Sequence, residues 1–220
     1  MSEAVKRTYA SALRAEQARA TRRAIVAAAA RLFLERGYGA TTVDAIAAAA
    51  GVSRKTVFTS VGGKVEALKL ARDWAIAGDD EPVPIMERSQ VKHARAEPDA
   101  RQVLRMYAGM VRERAERAAG IHMVIESASG SDPAVQALAE EGRQQRFTAM
   151  LDLAGELEKR GALPNELSRD DAADVLWLFN DGRVYHRLVV ERSWSPERFE
   201  AWLAELLIAA LIRPDYVRSP

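Results

Sequence analysis

The chain lacks cysteine altogether, and aromatic residues make up only 6% of its 220 residues. The absence of cysteine excludes a disulfide scaffold, cysteine-ligated zinc, iron–sulfur clusters and thiol catalysis, and it is typical of proteins in a reducing compartment. An excess of one charge is also missing, because 32 Lys and Arg residues stand against 31 Asp and Glu residues. The net charge of +1 therefore gives no indication of a nucleic-acid partner.

Long apolar runs are missing too. The longest uncharged apolar segments cover residues 24–30 and 206–212, whereas a membrane-spanning helix needs about 20 residues. The basic N-terminus leads into a helical pattern that Arg31 interrupts, so we expect no signal peptide. These absences predict a cytoplasmic protein with no membrane partner.

Strand-like alternation and hairpin turns are scarce, and apolar residues recur instead at helical spacing, as in Ile25, Ala28, Ala29, Leu32 and Phe33. The pattern predicts an all-α fold of about nine helices. A loop at 78–84 is expected to be a domain boundary, and the polar segment 87–98 is left unassigned. Glycine, proline and capping residues place the helices at 18–36, 42–50, 53–61, 64–77, 99–119, 121–129, 133–160, 168–191 and 195–212.

Charge is unevenly distributed along the chain. Residues 1–78 contain 13 Lys and Arg but only 6 Asp and Glu, whereas the remainder contains 19 bases and 25 acids. The first third therefore has a net charge of +7 and the rest −6. A basic segment of this kind fits a phosphate-binding module, but it fits an ordinary solvated helix face about equally well.

Residues 41–58 contain the most specific pattern in the chain, two short helices separated by Ala-Gly-Val-Ser. Gly51 permits the left-handed backbone that ends the first helix, and Ser53 is a preferred cap for the second. Apolar residues at 46, 47, 52 and 57 are placed to fill the angle between the two helices. The pattern predicts a helix-turn-helix, whose second helix enters the major groove of DNA.

The first turns of that second helix hold side chains suited to base recognition. Arg and Lys donate to guanine and a Thr methyl packs on the thymine methyl, so positions 54–56 and 59 are predicted to face base edges. Thr42 at one helix N-terminus and Lys64 beyond the next helix suit phosphate contacts. The predicted DNA-binding residues are Thr41, Thr42, Ser53, Arg54, Lys55, Thr56, Phe58, Thr59 and Lys64.

The sequence resembles the TetR family of bacterial transcriptional regulators. The resemblance covers about 50 residues and runs through 22–25 (RRAI), 29–38 (AARLFLERGY), 41–47 (TTVDAIA), 50–53 (AGVS), 56–58 (TVF) and 63–64 (GK). It implies a three-helix DNA-binding head on a larger helical body, which dimerises and holds a small-molecule pocket. The chain is accordingly divided into a basic N-terminal extension (1–19), a helix-turn-helix domain (20–66) and a regulatory and dimerisation domain (67–220).

Three positions depart from the family pattern. Phe58 stands where the family usually has Tyr, Val61 where it has an aromatic residue, and Gly63 where it has a Ser, Asn or Asp cap. Phe58 lacks the hydroxyl that would reach a phosphate. The N-terminal extension is also longer than the family minimum, and its basic residues fit either a minor-groove arm or a solvated or disordered tail: Lys6, Arg7, Arg14 and Arg19.

The last two helices contain apolar stripes that the resemblance assigns to a dimer interface, where equivalent helices of two subunits form a four-helix bundle. Burial within one chain is the alternative. A dimer would place two recognition helices about 34–36 Å apart, one turn of DNA, so that both bind a palindromic operator. The predicted interface residues are Leu176, Phe179, Phe199, Trp202, Leu203 and Leu206.

The body shows no catalytic signature: its three histidines are far apart, and no phosphate-binding loop or Gly-x-Ser-x-Gly elbow occurs. We therefore predict no enzyme, no metal and no cofactor. Adaptable apolar side chains with a few polar neighbours indicate an effector pocket instead, although core packing is the alternative for each residue. The predicted pocket residues are Met106, Met110, Met123, Glu126, Phe147, Trp177 and Asn180.

These features predict a homodimeric DNA-binding transcriptional regulator, a repressor that an unidentified small-molecule effector releases from double-stranded DNA. The alternatives are an activator of the same fold, a sequence-indifferent DNA architectural protein and a helical enzyme that uses the pocket. A regulator should prefer its operator over random DNA by ~10³-fold or more, whereas an architectural protein should show no such preference.

Overall fold

The computed structural model describes the backbone of residues 3–217 and the side chains from residue 13 onward. The all-α prediction is confirmed, with ten helices instead of about nine and no strand among the residues described. None of these helices has the length and apolar content needed to cross a bilayer. The helices are α1 Glu3–Ala40, α2 Val43–Ala50, α3 Arg54–Ser60, α4 Lys64–Ala77, α5 Ser89–Ala96, α6 Ala100–Ser129, α7 Pro133–Lys159, α8 Arg169–Phe179, α9 Gly182–Tyr185 and α10 Pro196–Leu211.

Helix α1 breaks at its predicted end but begins far earlier than predicted. Gly37 has φ +75° and ψ 168°, a conformation that glycine adopts without strain, and it interrupts the helix after Arg36. The backbone of residues 3–19 is helical and continues directly into the rest of α1. Arg19 donates two hydrogen bonds of 2.8 Å to Asp80, which ties the extension to the loop after α4. The side chains of Lys6 and Arg7 lie outside the described part of the chain.

Two apolar cores hold the helices together. One lies within the body and joins α6, α7, α8 and α10 around side chains such as Leu104, Leu157 and Leu207. The other joins the head to the body, because Phe33, Ile46 and other head residues pack in one cluster with residues of α4, α6 and α7. The head is therefore packed directly on the body through a shared core, in which α4 is the central element.

Helix α6 is continuous, so the predicted break at Gly120 is wrong. The glycine is explained by packing: a Cβ at Gly120 would lie 2.7 Å from Cδ2 of Leu34, so the missing side chain lets α1 approach α6 closely. A single glycine costs a helix only ~1 kcal/mol relative to alanine. Burial along this 30-residue helix offsets that cost.

The predicted helix over 168–191 is also wrong, because it divides after Phe179. Asn180 leaves helical geometry, and the Asp181 carboxylate accepts a hydrogen bond from the backbone N–H of Arg183 at 2.9 Å to cap α9. The chain then continues as a wider turn of π-helix over His186–Glu191. The break places both Asn180 and Asp181 in the interior of the body, where they are buried.

The acidic loop after α4 is fixed by ion pairs at both of its aspartates. Asp80 is paired with Arg19, and both carboxylate oxygens of Asp79 accept hydrogen bonds from the guanidinium of Arg88. The Arg88 pair, together with the hydrogen bond from the backbone N–H of Glu81, lowers the pKa of Asp79 to about 2. The segment that the sequence left unassigned contains α5, which packs beside α6.

Candidate functional site

The helix-turn-helix is held in place by two capping hydrogen bonds, a left-handed glycine and an apolar contact, all of which the sequence predicts. The Thr42 hydroxyl accepts a hydrogen bond from the backbone N–H of Ala45 at 3.1 Å, and Ser53 accepts one from Thr56 at 3.1 Å. Gly51 lies in the left-handed region with φ 67°. Ile46 and Val57 are fully buried between the helices. These caps and this packing fix the angle between α2 and α3.

Helix α3 presents most of its polar side chains to solvent. Arg54, Lys55 and Thr59 are exposed, and Thr56 is half-buried. The Arg54 guanidinium forms an ion pair with Asp44 of α2 at 2.5 Å and lies over the ring of Phe58, 5.5 Å from its centroid. The Arg54 guanidinium is therefore held at the surface of the head by two side chains, Asp44 and Phe58, which are themselves exposed.

The hydroxyls of α3 are partly occupied by local hydrogen bonds. Ser53 and Thr56 share one at 2.8 Å, and the Thr59 hydroxyl donates to the carbonyls of Lys55 and Thr56 at 3.1 and 3.2 Å. Because its hydroxyl is used by the backbone, the methyl group of Thr59 is the part left for an apolar contact such as a thymine methyl.

Thr41 differs from the other residues predicted to bind DNA. Its side chain is 1% exposed, and its hydroxyl donates to the carbonyls of Gly37 at 2.8 Å and Leu32 at 3.2 Å. These bonds tie Thr41 to Leu32, before the break in α1, and to Gly37 at the break. Thr41 therefore shapes the link between α1 and α2 and does not present its side chain to DNA.

Lys64 begins α4 and lies at the junction of head and body. Its Nζ lies 3.8 Å from the centroid of the Tyr38 ring, a cation–π contact. Burial, helped by the carboxylate of Asp132, raises the pKa of Tyr38 to about 12, whereas burial lowers the pKa of Lys64 and Asp132 partly offsets that effect. Asp132 itself caps α7. Head, α4 and body thus meet at three side chains.

Two departures from the family pattern have visible consequences at this site. The Phe58 ring is 46% exposed on α3 and supports Arg54 instead of donating a hydrogen bond. Gly63 gives α4 no side-chain cap. A Cβ at this position would lie 2.9 Å from a carboxylate oxygen of Glu66, so the glycine leaves room for that side chain. An acidic group in the first turn is favourable at a helix N-terminus.

The residues predicted at the dimer interface fall into two sets. Leu176, Phe199 and Leu203 are completely buried in the core of the single chain, so their assignment to an interface is wrong. Periodicity identified them as apolar but not what covers them. Phe179, Trp202 and Leu206 are only partly buried and remain candidates. Two further apolar side chains are more exposed than any of these and were not predicted: Leu178 at 54% and Val190 at 59%.

A cavity of about 490 Å³ lies within the body, bounded by α4, α6, α7 and the start of α9. Of the residues predicted to form a pocket, Glu126 and Asn180 line it. Phe147 and Trp177 line a different, shallower groove between α7 and α8, with a volume of about 440 Å³. The three predicted methionines line neither: Met106, Met110 and Met123.

Prediction from sequence missed the arginines of this cavity, Arg72, Arg114, Arg143 and Arg146. A usable signal was present for two of them. Arg114 falls on the same stripe of α6 as Val111 and Ala118, and Arg146 lies between Gly142 and Met150 on α7. An arginine within an apolar stripe is unusual, because long charged side chains are rarely buried unless they are paired.

Helix α4 connects the cavity to the head. Its Arg72 and Ile76 line the cavity, while Lys64 at its other end contacts Tyr38. Lys69 binds Glu141 of α7 through hydrogen bonds of 2.8 and 2.9 Å, and Arg72 donates to the carbonyl of Leu138 at 3.0 Å. Anything that moves α4 relative to α7 therefore moves a support of the helix-turn-helix.

Comparison with known proteins agrees with this geometry. The family model for bacterial regulatory proteins, tetR family, matches residues 25–66, which span the helix-turn-helix. The HTH-type transcriptional regulator CymR of Pseudomonas putida is 30% identical over 190 residues, which cover 84% of this chain and 87% of CymR.

Solved structures share the fold at lower identity. NalD of Pseudomonas aeruginosa, described as the secondary repressor of the MexAB-OprM multidrug efflux pump, superposes with a TM-score of 0.66 at 22% identity, over 90% of this chain and 100% of NalD. A TetR-family protein of Syntrophomonas wolfei gives a TM-score of 0.70 at 16% identity, over 90% of this chain and 99% of its own. The helix-turn-helix, the family match and the similarity to CymR along most of both chains lead to one conclusion: this chain belongs to the TetR family of DNA-binding transcriptional regulators, which are not enzymes.

Proposed function

We propose that this chain is a homodimeric repressor that binds a palindromic operator and is released by a small molecule. The observation on which the proposal depends is helix α3, which is capped at Ser53 and presents Arg54, Lys55 and Thr59 to solvent at its first turns. A regulator that binds operator DNA would act in the cytoplasm, where the bacterial chromosome lies. The DNA-binding unit would be residues 20–66, and residues 67–220 would regulate and dimerise.

In the proposed complex α3 lies in the major groove. Arg54, Lys55 and Thr56 would contact base edges together with the methyl group of Thr59, and Thr42, Ser53, Phe58 and Lys64 would support the phosphate backbone. Arg54 must exchange its ion pair with Asp44 for a base contact. Because both partners are more than half exposed in the free chain, that exchange is inexpensive.

The proposed dimer uses the exposed apolar side chains of α8, α10 and the turn between them. Leu178 and Val190 are more than half exposed, and Phe179 contacts Trp202 edge-on with 6.0 Å between ring centroids. We propose that these side chains contribute to one interface, because large exposed apolar patches on a monomer are typical of interaction surfaces. Two recognition helices read successive turns of DNA only if an interface fixes their spacing.

Release would follow from a difference in affinity. An effector that fills the cavity contacts Arg72 and Ile76, and so favours one position of α4 over another. If that position mis-spaces the two heads, effector and DNA weaken each other's binding by the same factor. The distribution of charge would turn the heads toward DNA, because the basic segment contains the helix-turn-helix and the acidic body is repelled by phosphate.

The test is a reporter placed behind the promoter region that flanks the chain's own gene, together with a gel shift on the same DNA. The proposal expects a specific shift at moderate salt and lower reporter expression when the chain is present. Higher expression with a specific shift would replace the repressor with an activator. An equal shift on random DNA would reduce the proposal to a sequence-indifferent binder.

A further inference from the structure

The cavity in the body has apolar walls and an uneven distribution of charge. Ile76, Met86, Val111, Ile125 and Leu138 contribute apolar surface, and the volume of about 490 Å³ is in the range of small-molecule sites. Four guanidinium groups line it against two carboxylates, those of Glu126 and Asp181. The balance of these groups decides what kind of molecule fits.

Two of the four guanidinium groups are satisfied by the chain itself. Arg72 donates to the Asp73 carboxylate at 2.8 Å and to the Leu138 carbonyl at 3.0 Å. Arg143 pairs with Glu126 at 3.3 Å. With Glu126 engaged in this way, Asp181 is the only other lining carboxylate that could neutralise the remaining two arginines.

Asp181 is itself fully used. Its oxygens accept from Arg183 at 2.8 Å and lie 3.4 Å from both Nη2 of Arg146 and Nε2 of His122. Burial would raise the pKa of Asp181, but the contacts with His122 and Arg183 outweigh that effect and hold the pKa far below the usual range. The carboxylate is therefore saturated by three partners and has no capacity for Arg114.

Arg114 has no carboxylate to pair with among the residues that the structure describes. Within that part of the chain its one polar side-chain partner is the amide oxygen of Asn180 at 3.5 Å, a distance at the limit of a hydrogen bond. Burial lowers the pKa of Arg114, Tyr107 partly offsets that effect, and neighbouring Arg117 lowers the pKa further. A desolvated guanidinium without a counter-charge is costly.

Arg146 supplies a second unsatisfied donor. Its guanidinium lies over the Trp177 ring, 5.2 Å from the centroid, and its Nε is buried with no hydrogen-bond partner in the described chain. Arg114 lies 3.5 Å from the amide oxygen of Asn180 and Arg146 lies 3.4 Å from the carboxylate of the next residue, Asp181, so both guanidinium groups reach the same break between α8 and α9. Two guanidinium groups with free N–H donors match the oxygens of a carboxylate, which arginine binds through paired hydrogen bonds.

We infer that the effector of this regulator is an amphipathic carboxylate, whose acid group binds between Arg114 and Arg146 and whose apolar part lies against Ile76, Val111 and Ile125. The inference rests on the proposed function, since it names the effector class for the site that would control α4. The bound anion supplies the counter-charge that the chain does not. Its apolar part reaches α4, so binding and movement of the head are linked at Ile76.

The experiment is calorimetric titration of the full-length chain, without DNA, with three matched pairs: 4-phenylbutyrate and 4-phenylbutanamide, 2-naphthoate and 2-naphthamide, decanoate and decanamide. Within each pair the apolar part is identical, and a neutral amide replaces the carboxylate. We expect at least one carboxylate to bind at least 10-fold more tightly than its amide. Equal affinity within all three pairs, or no binding by any carboxylate, would overturn the inference.

Variants locate the anion. Arg114→Met should weaken carboxylate binding about 10- to 100-fold, the usual effect of losing a charged hydrogen bond, and leave amide binding unchanged. Arg105→Met is the matched control, because Arg105 is exposed on the same helix and forms a long ion pair of 3.8 Å with Glu205. Unchanged carboxylate binding by Arg114→Met would overturn the assignment. Should that variant fold poorly, Arg114→Lys and Arg146→Lys keep the charge, lose the paired geometry and should each still weaken carboxylate binding several-fold.

A gel shift with the same compounds separates this inference from the proposed function. Carboxylate binding in the calorimeter without release of DNA would support the inference and contradict effector-driven release. If the chain shows no specific DNA binding even when no compound is added, that result would contradict the proposed function alone, because the calorimetric preference does not depend on DNA.

Discussion

The ammonium nitrogen of Lys64 lies 3.8 Å from the centroid of the Tyr38 ring. The contact joins the first residue of α4 to the segment that follows the break in α1, and Asp132 adds a carboxylate from the start of α7. Lys64 is thereby held at the edge of the head instead of extending freely into solvent. Its charge is positioned before DNA arrives, so less side-chain freedom is lost on binding.

Replacing Lys64 with methionine should weaken binding to operator and to random DNA by the same factor, because a phosphate contact contains no sequence information. The plot of log affinity against log salt has a negative slope. This slope should become shallower by about 0.9 for each phosphate that Lys64 no longer neutralises, or by about 1.8 for a dimer. Fluorescence anisotropy at several salt concentrations measures both quantities. Lys159→Met is the control, since Lys159 is exposed on α7 of the body and pairs with Glu156 of the same helix. Loss of affinity for the operator alone would contradict the role given to Lys64.

Arg54→Ala should cost about 1–3 kcal/mol per half-site on the operator and relax the base preference at one position, if Arg54 reads a guanine. Asp44→Asn removes the ion pair seen in the free chain but keeps Arg54, so operator affinity should be retained or increased. Binding to a set of single-base operator variants gives the measurement. An equal loss for Arg54→Ala on every variant would show that the residue contacts the backbone instead.

The turn of the helix-turn-helix should be sensitive to a side chain at Gly51. The φ of 67° is in the left-handed region, so Gly51→Ala should lower the free energy of unfolding by about 1 kcal/mol. Gly130→Ala is the control: Gly130 has φ −74°, and a Cβ there would meet nothing within 4 Å. That variant should be neutral or slightly stabilising. Chemical denaturation of both variants tests the difference, and equal stabilities would contradict the role assigned to Gly51.

Leu178→Asp should dissociate the proposed dimer without unfolding the chain. The side chain is 54% exposed, so the fold itself gains little from it, whereas a charge in an apolar interface is strongly unfavourable. Val83→Asp is the matched control on an exposed loop valine. Analytical ultracentrifugation should show a monomer for the first variant and a dimer for the second. A dimer that survives Leu178→Asp would move the interface elsewhere.

Asp132→Asn should lower the pKa of Tyr38 from about 12 part of the way toward 10, because burial remains the larger cause of the shift. A phenol whose pKa is raised by folding contributes stability that is complete below the unfolded value near 10 and is lost as the pH rises through the folded value near 12. The substitution should therefore narrow the alkaline pH range over which stability declines. NMR titration of Cζ-labelled tyrosine measures the pKa directly, and an unchanged value would exclude the contact with Asp132.

Local features of the fold were predictable from the sequence, and features that depend on distant residues were not. Thr42, Gly51 and Ser53 act on their own helix ends, so their residue types suffice to identify them. The break predicted at Gly120 was wrong because the glycine serves a contact with Leu34, which is 86 positions away in sequence. A helix propensity depends on the residue type alone and includes no information about contacts with residues that are distant in sequence.

The same reason explains the errors at the interface and the cavity. Leu176 and Phe199 belong to apolar stripes, but a stripe does not state whether its own chain or a second copy covers it. Thr41 looked like Thr42 in sequence, and only the folded chain shows that its hydroxyl turns inward. Arg114 was overlooked because charged residues are assigned to solvent by default.

The exposed start of α3 is expected to recognise a particular DNA sequence. The most direct test is fluorescence anisotropy of the full-length chain at about 150 mM salt on two duplexes, a palindrome selected by the chain from a random library and a shuffled duplex of identical composition. We expect the affinity for the palindrome to be at least ~10³-fold higher than the affinity for the shuffled duplex. Equal affinities for the two duplexes would contradict it.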